Sequence, residues 1–139
     1  MVGVKLFTGG LILMGLFAIG HLGGFIQGAY AARRDSSMAV LMESMRARKT
    51  RLLGFEPSIL DFREYFSLNF TILLLLACGL GFVMLIAAPD RSGTVRALSP
   101  IYAGAMLFLL GSSLRFSVAH GVVICPIIAL LFGLAWWFA

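Results

Sequence analysis

The stretch from Tyr65 to Ala88, YFSLNFTILLLLACGLGFVMLIAA, decides the fold. It holds no Asp, Glu, Lys or Arg, and it stops at Pro89-Asp90. A helix needs about 20 mostly apolar residues to cross the roughly 30 Å hydrocarbon layer of a bilayer, at about 1.5 Å per residue. This stretch is long enough and apolar all round. Three further segments read the same way: Val4 to Tyr30, Ala97 to Leu114, and Val118 to Ala139. Composition agrees, since 60% of the 139 residues are hydrophobic and only 12% are charged, against about a quarter in soluble domains. The mean hydropathy is +1.00. A chain this small has too little polar surface to cover itself in water. Soluble enzyme, disordered tail and secreted disulfide scaffold are all excluded as classes.

The sequence therefore predicts an all-α membrane protein with a single domain over residues 1–139. Four transmembrane helices form an antiparallel bundle, because an open sheet cannot satisfy its edge groups in hydrocarbon. Pro89-Asp90-Arg91-Ser92-Gly93 is a turn by composition, and Arg115-Phe116-Ser117 closes a tight hairpin between spans three and four. The first stretch has one competing reading, as a signal peptide with Lys5 as its basic start and Ala29-Tyr30-Ala31 as a small-x-small cleavage site. Its length exceeds the 7–15 residues or so of a signal h-region, and Arg33-Arg34 follow it at once.

Basic residues set the orientation. Arg33, Arg34, Arg46, Arg48, Lys49, Arg51, Arg63 and Arg115 fall on one side of the membrane, against Lys5, Arg91 and Arg96 on the other. The segment 31–64 is thus expected in the cytoplasm and both termini outside, in a cell inner (plasma) membrane. The basic loop explains the sequence pI near 9.9. No groove-reading motif accompanies it, so a nucleic-acid partner is not expected.

Within that loop, Met38, Leu41, Met42 and Met45 recur at helical spacing. The pattern, extended to Leu52-Leu53, predicts an amphipathic helix over about 37–53, with Ser36 or Ser37 as N-cap and Gly54 as the stop. Its cations crowd the second half, where they suit an anionic leaflet. Two roles fit: a docking surface or lid for something entering from the leaflet, or a plain stop-transfer segment. Further on, Ser58 followed by Asp61 has the shape of a capping box with Asp in place of Glu or Gln. A helix is expected to begin near Ser58 and to enter the membrane near Tyr65. Asp61, Tyr65 and Asn69 then share a face, with Glu64 beside them. The plainer role for Asp61 and Glu64 is pairing with Arg63 or the loop arginines.

Polar residues inside lipid are costly and mark candidate sites. His21, Asn69, Ser112, Ser113, Arg115 and His120 all fall in the cytoplasmic half of their spans, roughly 3–14 Å below that face. The other half carries little beyond Thr8 and Tyr102. Groups that share a depth on four helices can meet in one cavity. There His21 would be an acid/base, tuned by Asp61 or Glu64. Asn69 would orient a substrate oxygen, and Arg115 would hold an anionic head group beside His120, Ser112 and Ser113. The plainer readings are a histidine bonded to a neighbouring helix and an arginine snorkelling to the interface.

No HxxxH, ExxH or CxxC spacing is present, so no metal site or cofactor is expected. Cys78 and Cys125 sit mid-span as inert thiols. Gly20, Gly24 and Gly28, with Gly23 beside them, repeat along one face of span one and let helix backbones approach closely. Gly79, Gly81, Gly104 and Gly111 are candidate recipients, so the face is expected to pack within the chain, with a homo-oligomer as the alternative. Pro126 is expected to kink span four. Trp136-Trp137 form an interfacial aromatic belt.

Gly20-His21, Met45-Arg46, Leu68-Asn69-Phe70, Arg115-Phe116 and Pro126 resemble an uncharacterised family of small bacterial four-helix integral membrane proteins. The resemblance spans most of the chain, implies the same fold, and highlights His21, Asn69 and Arg115. In that family a further histidine usually follows the asparagine; Thr71-Ile72 stand there in this chain.

Two functions from different classes follow. One is a binding or accessory subunit that holds a lipid or a partner helix in the bilayer. The other is an intramembrane enzyme acting on an isoprenoid, sterol-like or quinone substrate. Membrane lipids are the expected partners, with a membrane protein or a second copy as further candidates. A channel or transporter fits least, because a conduction path needs polar lining right across.

Overall fold

The structure is a computed structural model that describes residues 2–51, 54–115 and 118–139, with backbone only at Ala29 and Ala32. It contains five helices: α1 (Val2–Arg34), α2 (Ser36–Ala47), α3 (Ile59–Ala87), α4 (Arg91–Arg115) and α5 (Ala119–Trp137). Four of them, Val2–Gly28 within α1 together with α3, α4 and α5, are long and apolar enough to cross a membrane. The shortest, α5, has 19 residues, or about 29 Å of helix, which matches the hydrocarbon thickness. Their surfaces carry exposed Leu, Ile, Val and Phe side chains along most of their length. That is the pattern expected where lipid rather than water is the solvent.

Helix ends depart from expectation in four places. The first helix runs on to Arg34, past Tyr30. The next is capped by Asp35, whose carboxylate accepts from the Ser37 amide at 2.8 Å and the Ser37 hydroxyl at 2.7 Å. A charged acceptor outcompetes the serine hydroxyls expected to cap it. That helix stops at Ala47 instead of reaching residue 53, because Arg48, Lys49 and Arg51 would crowd like charges onto one further turn. Thr50 N donates instead to Pro57 O and Ile59 N to Arg48 O, both at 3.0 Å, around an antiparallel bridge between Lys49 and Ser58. Gly54, at φ +86°, sits in the turn beyond rather than at a helix end. Leu52 and Leu53 lie outside the described residues, as do Phe116 and Ser117 of the expected hairpin turn. Finally, α4 begins at Arg91, six residues ahead of Ala97, because Asp90 caps it by accepting from Gly93 N at 3.0 Å. Both Pro100 and Pro126 lie inside helices that continue through them.

The described chain divides into two compact units, Met1–Phe17 with Leu75–Ala139, and Ala18–Leu74. In the first unit, buried positions repeat at alternating spacings of four and three. They are Gly3, Phe7, Gly10, Met14 and Phe17 on α1, and Gly121, Cys125, Ile128, Phe132 and Ala135 on α5. Cys78, Gly81 and Leu85 continue the pattern on α3. This is the spacing that seats side chains of one helix into gaps of the next. The centre is a cluster of three rings: Phe7 stands 5.5 Å from Tyr102 and 5.3 Å from Phe132, and Tyr102 stands 5.0 Å from Phe132. Gly10 makes room for the cluster, since a Cβ there would lie 2.8 Å from the Phe132 ring. Tyr102 also reaches α3, where its hydroxyl donates to Ala77 O at 2.6 Å.

The second unit joins the later half of α1 to α2 and the early half of α3. The expected capping box forms in full. Ser58 Oγ accepts from Asp61 N at 3.1 Å, and Asp61 Oδ2 accepts from Ser58 N at 2.8 Å. Contacts between α1 and α3 here include a ring pair, His21 with Phe70, and the Arg63 guanidinium lying over Gly28.

Candidate functional site

The polar residues singled out from the sequence divide between the two units. In the second unit, His21 is half-buried on α1 and its Nε2 is buried. Its ring meets Phe70 edge-on, with centroids 5.0 Å apart and planes at 71°. Phe70 follows Asn69 directly, so His21 and Asn69 lie on neighbouring stretches of α1 and α3. The Asn69 side-chain amide donates to the Tyr65 carbonyl of its own helix at 2.8 Å. This helix-internal bond occupies one amide hydrogen and leaves the side-chain oxygen for other partners. Asp61 is engaged in the capping box, where the Ser58 hydroxyl also donates to Oδ2 at 2.7 Å. Glu64 is exposed.

In the first unit, His120 is exposed in the first turn of α5, with its ring 5.9 Å from Phe17. Ser112 and Ser113 are half-buried near the end of α4. Ser113 is a packing residue: its hydroxyl occupies the space that a Cβ would need at Gly121, and its carbonyl accepts from Val118 N at 2.8 Å. Arg115 is the exposed last residue of α4, where a cation complements the helix C-terminus.

Among the described residues, no three His, Cys, Asp or Glu side chains gather closely enough to hold a metal ion. Cys78 and Cys125 are buried free cysteines, and the Cys78 thiol donates to Leu11 O at 3.2 Å. That bond joins α3 to α1, so Cys78 is a packing residue with a polar handle.

Arg63, expected from the sequence as a partner of Asp61 or Glu64, has its Nη2 3.3 Å from where a Cβ would stand on Gly28. The signal was available, because glycine opposite a long side chain permits a close approach. Ser99 is wholly buried in α4, and its hydroxyl has no partner among the described residues. It directly precedes Pro100, whose missing N–H also leaves the Arg96 carbonyl without its helical donor.

The glycines differ in their surroundings. A Cβ built at Gly20, Gly23 or Gly24 meets no atom of the described residues within 4 Å, and the same holds at Gly79, Gly104 and Gly111. The glycines that take neighbouring atoms within 3 Å across helices are Gly3, Gly10, Gly81 and Gly121. Of the glycines expected to pack along span one, Gly28 lies against the Arg63 side chain.

Comparison of the chain with protein-family models, with curated proteins and with solved structures finds no match.

Proposed function

We propose that this chain is a small multi-pass membrane protein that holds a lipid or a partner helix in the bilayer. In this reading it forms an antiparallel four-helix bundle in the inner membrane, with residues 31–64 in the cytoplasm and both termini outside. The observation that carries the reading is the open face at Gly20, Gly23 and Gly24, on a helix long and apolar enough to span. A small-residue face with no atom of the described residues against it lets another helix or an acyl chain approach the backbone closely. Gly20 and Gly24 would then pack against that partner rather than within the chain.

The enzyme reading uses His21 as acid/base with Asn69, Asp61 and Glu64 around it, and Arg115, His120, Ser112 and Ser113 toward a head group. Its support is the buried Nε2 of His21. Asp61 in its cap and Asn69 on the Tyr65 carbonyl favour the binding role, because local helix bonds already account for both.

Two substitutions separate the readings. With a binding role, His21→Ala loses the bound partner or the fold, and His21→Gln restores part of it, since Gln keeps a hydrogen-bonding group. With catalysis, both variants are stable, keep their partners and are inactive. The companion experiment is purification in gentle detergent, followed by mass spectrometry of what remains bound. A lipid or second chain that Gly24→Leu removes supports the proposal; a clean monomer with no bound lipid refutes it.

A further inference from the structure

We propose that the hairpin from Arg48 to Ile59 binds anionic phospholipid, pressing Phe55 into the leaflet while Arg48, Lys49 and Arg51 hold phosphate head groups. The inference rests on the chain being embedded in a membrane.

The geometry starts where α2 ends. Residues beyond Ala47 leave the helix, and two backbone bonds fix the legs of the hairpin: Thr50 N to Pro57 O and Ile59 N to Arg48 O. The bridge between Lys49 and Ser58 lies between them. Because Ser58 is also the cap of α3, the hairpin is tied to the first turn of an apolar helix. Near its tip Gly54 takes φ +86°, which turns the chain where a side chain would be strained. Phe55 follows and is 75% exposed, among the most exposed large apolar side chains of the molecule. In sequence Leu52-Leu53 precede this pair.

Charge identifies the occupant. Arg48, Lys49 and Arg51 are all exposed. An ion pair joins Arg46 to Glu43 at 3.7 Å, and Arg46 and Lys49 also act on the Asp61 carboxylate. An exposed aromatic ring on the same hairpin as three exposed cations matches the interface of an anionic leaflet, where acyl chains lie beneath a plane of phosphates. The surface nearest such a hairpin is the bilayer its own helix enters.

The test uses the full chain with Phe55→Cys carrying an environment-sensitive NBD fluorophore. Buried Cys78 and Cys125 are controlled by labelling the unsubstituted chain in parallel. The protein is reconstituted in nanodiscs of phosphatidylcholine alone or mixed with phosphatidylglycerol. The expected result is blue-shifted emission quenched by brominated acyl chains in the anionic discs, and a water-exposed label in the neutral ones. Replacing Arg48, Lys49 and Arg51 by Gln lowers the inserted-to-withdrawn ratio about fivefold for each charge removed. A label equally water-exposed in both lipids, or insertion indifferent to the three cations, overturns the proposal. A shift that grows with protein density in the disc assigns the hairpin to a protein contact and overturns it too. A chain that alkaline carbonate strips from vesicles overturns the membrane reading itself, and the hairpin proposal with it. An integral chain whose label stays in water refutes the hairpin alone.

Discussion

The hydroxyl of Tyr102 donates to the backbone carbonyl of Ala77 at 2.6 Å, joining α4 to α3 from inside the aromatic cluster. The same ring packs on Phe7 and Phe132, so one side chain touches three other helices. Tyr102→Phe keeps the rings and removes the bond. It is expected to cost about 1 kcal/mol, the net worth of such a bond, read as a lower midpoint in denaturant titration in detergent. Tyr102→Ala, which also removes the ring, is expected to cost about 3 kcal/mol or more. Equal losses for the two variants would mean the bond is the whole contribution and the ring contributes nothing.

The glycines separate into two groups with opposite expected responses. Gly3→Ala places a methyl 2.7 Å from the Ala135 carbonyl and the Ala139 amide, which are backbone atoms that cannot move aside cheaply. Gly10→Ala drives a methyl into the fully buried Phe132 ring. Both are expected to destabilise by about 1–3 kcal/mol. Gly20→Ala and Gly24→Ala meet open space, and each should gain up to about 1 kcal/mol of helix propensity. Thermal melting of the purified single chain checks both halves. If Gly20→Ala and Gly24→Ala stabilise the chain while abolishing capture of its partner, the open face is the binding surface.

Asp61 offers a direct comparison between a structural and a chemical role. Its carboxylate completes a reciprocal cap with Ser58. Ser58→Ala and Asp61→Ala should each cost about 1 kcal/mol, typical of a lost N-cap. Each should also speed amide exchange in the first turn of α3, as seen by hydrogen–deuterium exchange. Asp61→Asn keeps an acceptor oxygen and should recover part of that loss. A carboxylate needed for proton transfer would not be rescued by Asn, so an unrescued loss of activity at normal stability would reassign Asp61 to catalysis.

Acid should loosen the start of α2. Hydrogen bonds from the Ser37 hydroxyl and amide hold the Asp35 carboxyl below its ordinary value of 3.8. A carboxyl depressed in the folded state stabilises fully above the unfolded value, and its contribution disappears as pH falls through the lower, folded one. Exchange protection of the α2 amides should therefore be flat near neutrality and decline below about pH 4. Asp35→Ala should show the weaker protection at every pH with that step removed. A step that persists in Asp35→Ala would place the titrating group elsewhere.

The existence of the helices was legible because it depends on local quantities. Span length, the helical spacing of Met38, Leu41, Met42 and Met45, and the Ser58–Asp61 pair are all properties of neighbours in the chain. Helix ends were less so, since Asp35 and Asp90 capped helices that serines or composition were expected to begin. The Arg48–Ile59 hairpin was invisible for a different reason: it depends on backbone bonds between residues that no periodicity links.

Which face of each helix turns inward belonged to the tertiary structure. A helix in water announces its buried side by being polar on the other, but lipid is as apolar as the interior, so the spans are apolar all round. Gly20, Gly23 and Gly24 look the same in sequence as glycines that pack, yet Gly3, Gly10 and Gly81 take the close contacts because the backbone of Ala135 and Ala139, the Phe132 ring, and Leu11 with Tyr102 arrive opposite them in turn. The sequence by itself thus determined that the chain makes four helices suited to cross a bilayer, since length and transfer from water act segment by segment. Only the tertiary structure decided how those helices meet, since that turns on the shapes of side chains distant along the chain.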